Sequence, residues 1–133
     1  MTFALDTNII SYMLKRDNNV CEKYLAESDN GHECIIPPVA YYEIRRGLLA
    51  INATAKTREF EILCQEFGVG EMNTSAWDKA AQLYAERRRN GRQIEDADLF
   101  IAAFCIVNGY TLVTHNIRHF DGIDGLTIVD WTE

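Results

Sequence analysis

Basic residues are in short supply: 13 Lys and Arg stand against 20 Asp and Glu, a formal net charge of −7 over 133 residues. That balance argues against passive electrostatic adhesion to nucleic acid, which relies on excess cations to displace counterions from phosphates. Any nucleic-acid partner must be met through local charge or a bound cation. No apolar run approaches the ~20 residues of a membrane span, and Met1 leads straight into Phe3-Ala4-Leu5-Asp6 without the charged and apolar regions of an export signal. The expected location is the cytoplasm, with no membrane partner. Four cysteines (Cys21, Cys34, Cys64, Cys105) lack C-x-x-C spacing, and a chain that is 47% hydrophobic does not need disulfide staples. They are expected to be reduced and mostly buried. Proline is limited to Pro37 and Pro38, and low-complexity tracts are missing, so neither a linker nor disorder is indicated. The length suits one domain spanning residues 1–133.

What is present is a succession of short apolar runs and helical patterns. Thr2-Phe3-Ala4-Leu5-Asp6 reads as a strand ending in an acid, followed by a turn at Thr7-Asn8 and a helix through Ile9 to Lys15. Cys34-Ile35-Ile36 stops at the prolines, and Pro38 suits the first position of a helix running to about Leu49. Helical spacing returns from Thr57 to Phe67, and Val69 to Met72 reads as a short third strand. Ser75 can cap a helix with Trp77, Ala80, Ala81 and Tyr84 on its apolar side, ending near Asn90-Gly91. An apolar helix from Asp96 to Val107 closes at Asn108-Gly109, and strands follow at Thr111 to Thr114 and Leu126 to Val129. Strands that are continuously apolar and alternate with helices predict an α/β fold, a parallel sheet with helices on both faces.

In such sheets ligands bind just beyond the carboxyl ends of the strands. Asp6 sits at one such end, and Thr114 and Asn116 at another. Glu43 lies a turn and a half into the helix that starts at Pro38. Asp98 opens the late apolar helix on the face of Ile101 and Ala102, where an acid needs a partner, hydrogen bonds or a metal. Gathered in one crevice, Asp6, Glu43 and Asp98 would suit a hard cation such as Mg²⁺ or Mn²⁺, which prefers oxygen ligands. Each acid also has a plainer reading. Asp6-Thr7-Asn8 can be a helix cap, Glu43 can pair with Arg46 three residues on, and Asp96 and Asp98 can both serve the helix dipole.

Four ordered segments, Leu5-Asp6-Thr7-Asn8, Tyr42-Glu43-Ile44-Arg45-Arg46-Gly47, Asp98-Leu99-Phe100-Ile101-Ala102-Ala103 and Leu112-Val113-Thr114-His115-Asn116, resemble the PIN-domain ribonucleases, in particular the VapC toxins. Phe120, Gly125-Leu126 and Asp130-Trp131 resemble the C-terminus of that subgroup. The resemblance implies a three-layer α/β/α sandwich and an endoribonuclease using Mg²⁺ or Mn²⁺. Asp6, Glu43 and Asp98 take the places of the family's catalytic acids and metal ligands, and Asn8 and Thr114 those of its supporting polar residues. Asn116 stands where many members carry a fourth acid, which makes one firmly held cation the better expectation than two. Implied partners are an RNA substrate, a VapB-type antitoxin lying across the site, and a second copy of the chain. The residues do not mark a dimer face, though the helices near Tyr12 to Leu25 and Ala40 to Ile51 are apolar enough to supply one.

The tract Arg87-Arg88-Arg89-Asn90-Gly91-Arg92 is the densest positive patch. It is either a solvated helix end favoured by the dipole or, through Arg88, Arg89 and Arg92, an RNA-backbone track or a contact for an acidic partner. His115 and His119 have a spacing that zinc sites use on helices, but they flank a loop, so zinc is not expected. Two rival readings remain open from sequence. One is an aspartate-nucleophile phosphotransferase or phosphatase, which wants a second Asp where Asn8 stands. The other is a catalytically silent binding module of the same fold.

Overall fold

The early apolar runs become edges and centre of one parallel sheet because each is followed by a helix that carries the chain back across it. A computed structural model describes all of residues 1–133. Strands β1 (Thr2–Leu5), β2 (Glu33–Ile35), β3 (Thr111–Val113) and β4 (Ile128–Val129) lie in the order β2-β1-β3-β4, and every pair is parallel. The helices are α1 (Thr7–Leu14), α2 (Asn18–Asp29), α3 (Pro38–Ala50), α4 (Thr54–Phe67), α5 (Thr74–Arg89) and α6 (Asp96–Asn108), with a 3-10 turn at Ile117–Phe120 before β4. None is long and apolar enough to cross a membrane.

The strands read as continuous apolar runs because both sheet faces are covered. Phe3 and Leu5 of β1 and Val113 of β3 pack with Ile9, Ile10, Ile44, Phe60 and Trp131 on the face of α1 to α4. Ala4 and Leu112 face the other way, against Leu83, Leu99, Ala103 and Phe104 of α5 and α6. The predicted three-layer α/β/α sandwich with a central parallel sheet is therefore the observed one. α6 is apolar on nearly all sides because its first turns are wedged between sheet and α5, leaving Leu99, Ile101, Ala102, Ala103, Phe104 and Cys105 buried. Gly109 ends it in the left-handed conformation, φ 71°. Cys34 and Cys105 are buried, Cys21 and Cys64 half-buried, and all four are free.

Local patterning misled at four points. Helix expected near Tyr12 to Leu25 is divided between the end of α1 and a separate α2 over Asn18–Asp29, whose composition is polar and whose one buried residue is Val20; Asp17 caps it by accepting the Val20 N–H at 3.1 Å. α5 is capped by Asn73, which accepts the Ala76 N–H at 2.9 Å, not by Ser75. Its buried line is Ala76, Ala80, Leu83 and Arg87, one position out of phase with the expected one, so Trp77, Ala81 and Tyr84 are exposed. The expected strand over Val69 to Met72 shrinks to one bridge between Ile36 and Val69. The backbone there turns at Gly68, and at Gly70 it runs against the Phe104 ring. α3 to α6 consequently follow one another without an intervening strand.

The contact at Gly70 leaves no room for a side chain, because a Cβ would overlap the Phe104 ring, itself 2% exposed and hemmed in. Gly70→Ala is expected to lower unfolding stability by about 1–3 kcal/mol, the usual cost of overpacking a closed core. A urea midpoint equal to that of the parent chain would show that the ring yields freely.

Candidate active site

β1 is the point where the chain order reverses, with β2 on one side and β3 on the other, so a crevice opens beyond the carboxyl ends of β1 and β3. Asp6 follows β1 directly. Its N–H continues the ladder to the Val113 carbonyl at 2.9 Å, which fixes the residue against β3. It is also the N-cap of α1, as the plainer reading had it: Oδ1 accepts the Thr7 N–H at 2.7 Å. Capping uses one oxygen only. Oδ2 accepts the Thr114 hydroxyl at 2.7 Å and, more weakly, the Asn8 amide at 3.4 Å. Asp6 is 5% exposed and Thr114 is fully buried, yet no Lys or Arg pairs with Asp6. Burial pushes its carboxyl above the ordinary carboxylate value, and the charge of Glu43 adds to this; hydrogen bonds from Thr114 and Thr7 pull the other way without cancelling it.

Asn8 and Thr114 take the supporting positions expected of them. The Asn8 side-chain oxygen Oδ1 accepts the His115 N–H at 3.1 Å, so α1 is tied to the loop after β3. The Thr114 hydroxyl donates to Asp6 and accepts the Asn116 N–H at 3.0 Å. Asn116 thus contributes its main chain to the network, while its side chain is exposed and makes no hydrogen bond within the chain. Position 8 is committed to these amide contacts, which leaves no second acid beside Asp6 for an aspartate-nucleophile reaction.

Glu43 reaches the crevice from the second turn of α3, which Pro38 starts directly after the bridge at Ile36. Its Oε1 accepts the Thr7 hydroxyl at 2.7 Å, so Thr7 links the two acids, its N–H on Asp6 and its hydroxyl on Glu43. Arg46 lies 3.8 Å from Oε2, the pairing expected of a solvated face, but it is itself exposed. Asp98 enters from the first turn of α6, and its Oδ2 lies 3.2 Å from Nδ1 of His119. Burial and then the charge of Asp6 push its carboxyl up to about 6, against the opposing pull of His119. Asp96 is exposed, so only one of the two first-turn acids faces inward.

Thr7, His119 and Arg87 were named from sequence, as part of a cap, a histidine pair and a basic tract, but not in the roles the structure gives them. Thr7 is hidden by its role in a capping pattern. His119 carries no helical spacing to an acid, and the structure places His115 elsewhere, bonded through Nδ1 to Thr132 Oγ1 at 2.9 Å and near Asp130 at 3.3 Å. Burial raises the Asp130 carboxyl, but hydrogen bonds from Thr132 and from His115 outweigh it and hold the group low. The two histidines therefore serve different acids and form no common site. Arg87 is buried in α5, whereas Arg88 and Arg89 are exposed at its end and Arg92 lies 3.7 Å from the Asp121 carboxylate.

The site's donors toward a cation are oxygens. Asp6 and Asp98 are both pushed toward the neutral form, Asp6 and Glu43 repel, and neither aspartate has a Lys or Arg partner. A divalent cation would relieve that repulsion, so the donor set fits a hard ion. No three acidic, histidine or cysteine side chains stand close enough together to form a ready-made cage for an ion.

Residues 3–126 match the family described as PIN domain. Among curated relatives, Ribonuclease VapC1 of Haemophilus influenzae (strain R2866) is 26% identical over 134 residues, covering 100% of both chains. The tRNA(fMet)-specific endonuclease VapC of Shigella flexneri is 30% identical over 138 residues, covering 99% of each. Among solved structures, VapBC-1 from nontypeable H. influenzae superposes with a TM-score of 0.88 at 26% identity over 100% of both chains. VapBC2 from Rickettsia felis, bound to a promoter DNA fragment, shares the fold with a TM-score of 0.91 at 23% identity, over 98% of this chain and 99% of that one.

Proposed function

The chain belongs to the PIN-domain family as a VapC-type ribonuclease toxin, and from that premise we propose that it is a divalent-metal-dependent endoribonuclease whose reaction centre is Asp6, Glu43 and Asp98. The observation that carries this reading is the placement of a buried, cation-free Asp6 at the strand-order reversal, electrostatically coupled to both other acids. Mg²⁺ or Mn²⁺, held by Asp6 and Asp98 with Glu43 directly or through water, would supply an activated water and a counter-charge for the phosphorane-like transition state.

The chain's own residues do the positioning. Thr114 and the Thr7 N–H hold the Asp6 carboxylate in one rotamer, with hydrogen bonds to both oxygens. Thr7 holds Glu43 at the same crevice, and His119 steadies Asp98. Asn8 locks the loop carrying Thr114 and Asn116 to the start of α1. The proposed reaction breaks the bond from phosphorus to the ribose 3′-oxygen by in-line attack of water, leaving a 5′-phosphate on one product and a 3′-hydroxyl on the other. With Asn116 at the fourth position, one cation is the proposed complement.

A VapB-type antitoxin is the proposed protein partner, since the related structures named above are VapBC pairs. A homodimer is also proposed. For it the apolar residues left exposed are Leu25 on α2, Tyr42 and Leu49 on α3 and Ile51 just past its end, while Met13, Leu14 and Val20 are taken up by the core. The test of the enzymatic reading is incubation of the purified chain with total RNA, followed by mapping of new 5′-phosphate ends. Discrete cuts are expected with Mg²⁺ or Mn²⁺ and none with excess EDTA. Cleavage that survives chelation, or products ending in 2′,3′-cyclic phosphate, would refute the mechanism.

A further inference from the structure

The one buried arginine of the chain has no carboxylate partner. Arg16, Arg45, Arg46 and Arg92 are at least partly exposed, and each has a carboxylate within 4 Å. Arg87 is 9% exposed and has none. It sits on the inward line of α5 behind Ala76, Ala80 and Leu83; its Nη1 donates to the Asp121 carbonyl at 2.7 Å, and its Nε is buried without any acceptor. A guanidinium cannot shed its proton to escape burial, so an incompletely paired one is costly unless an anion completes it.

Arg87 borders a cavity of about 310 Å³ that also takes in Gln93, Glu95, Asp98, Arg118 and His119. Arg118 lies on the 3-10 turn, is exposed, and has no carboxylate partner either. Two unpaired guanidinium groups therefore border one cavity, and that cavity shares Asp98 with the reaction centre. Glu95 is the opposing charge, but it is solvent-exposed and its field is screened.

We propose that this cavity seats a backbone phosphate of the RNA strand next along from the phosphate that is cut, with Arg87 as the fixed donor and Arg118 as the adjustable one. The inference rests on the nuclease reading above and adds where the strand runs. A strand with one phosphate at the carboxylates necessarily brings another close by, because phosphates recur at every nucleotide. An acidic peptide has no such enforced spacing, which favours RNA as the occupant. Guanidinium groups also match phosphate oxygens in a fork that ammonium groups do not. Arg88 and Arg89, exposed on the same helix end, would add only screened attraction.

The experiment is fluorescence anisotropy of a labelled single-stranded RNA under EDTA, titrated at several KCl concentrations, with the parent chain, Arg118→Ala and Arg87→Lys. Each variant is expected to bind about tenfold more weakly, as loss of a charged hydrogen bond gives. The plot of log K against log salt should become shallower by about 0.7 for Arg118→Ala, one phosphate contact on single-stranded nucleic acid. If Arg87→Lys fails to fold, judged by its thermal transition, the exposed Arg118→Ala decides alone. Parent-like affinity and salt slope in the folded variants overturn the subsite, as does loss of antitoxin binding with RNA binding untouched. In either case cleavage by the parent chain shows that the nuclease reading stands. A parent chain that neither binds nor cuts RNA overturns both.

Discussion

Asp6→Asn is expected to reduce RNA cleavage by about 10²- to 10³-fold or more, the loss that follows removal of one charge-stabilising group from a preorganised site. The substitution keeps the size and the cap: an Asn Oδ1 can still accept the Thr7 N–H, now 2.7 Å from Asp6. What it removes is the charge, and it sets an amide against Thr114 and Asn8, both of which now donate to Oδ2. Because burial already disfavours the ionised Asp6, the variant should fold with no loss of thermal stability. Folding and activity therefore part company, which separates a reacting-centre role from a mere helix cap. A helix cap replaced by Asn, itself a good capping residue, would leave cleavage intact. Cleavage rates of the folded variant within a few-fold of the parent chain would dismiss Asp6 as the anchor. Thr114→Val is the companion measurement, since it leaves the charge and removes only its orienting hydroxyl; a loss of about 10- to 100-fold is the usual size for such a supporting contact.

How far the sequence foretold this arrangement depends on whether a residue's neighbours are local or brought in by the fold. Asp6, Thr114 and Asp98 were legible because each stands at the end of a strand or the start of a helix, and such ends are where open parallel sheets place their ligands. Glu43 was legible as a candidate, but its partner was not. The bond from Thr7 joins residues 36 positions apart, and a Thr after a capping Asp gives no sign of it. His119 meets Asp98 only because the 3-10 turn after β3 folds back over the first turn of α6. Arg87 did carry a signal. Spacing of four, three and four from Ala76 through Ala80 and Leu83 puts it on the buried face, whereas the same spacing counted from Trp77 through Ala81 and Tyr84 leads to Arg88 and leaves Arg87 off the line. The bounds of α2 were missed for the opposite reason. With Val20 as its one buried residue it has almost no apolar stripe to read, and its helix rests on a cap and tertiary placement.

Asp98→Asn is expected to stabilise the metal-free protein at neutral pH while removing its activity. The sign follows from the carboxyl of Asp98, pushed up to about 6 by burial and by Asp6, compared with 3.8 ordinarily. Between those two values the folded chain holds a proton that the unfolded chain has released, so folding stability falls as pH rises from about 4 to about 6 and stays reduced above it. Asn mimics the protonated acid and carries no such penalty. The full shift would correspond to about 3 kcal/mol, but partial exposure screens the interaction and about 1–2 kcal/mol is the realistic gain. That is a rise in Tm of roughly 3–8 °C at pH 7.5 under EDTA, shrinking toward zero at pH 4. His119, 3.2 Å away, works against this gain without reversing it, since burial and Asp6 outweigh it. Adding Mg²⁺ should then raise the Tm of the parent chain, whose ionised acids gain a counter-charge, and leave the variant nearly unmoved. Differential scanning calorimetry across pH, with and without the cation, reads all of this in one series. A variant less stable than the parent at pH 7.5, or a gain that does not fade on acidification, would mean that Asp98 is a paired structural acid. Stabilisation combined with lost cation response would instead identify the strain at Asp98 as the stability given up to keep a carboxylate where the reaction needs it.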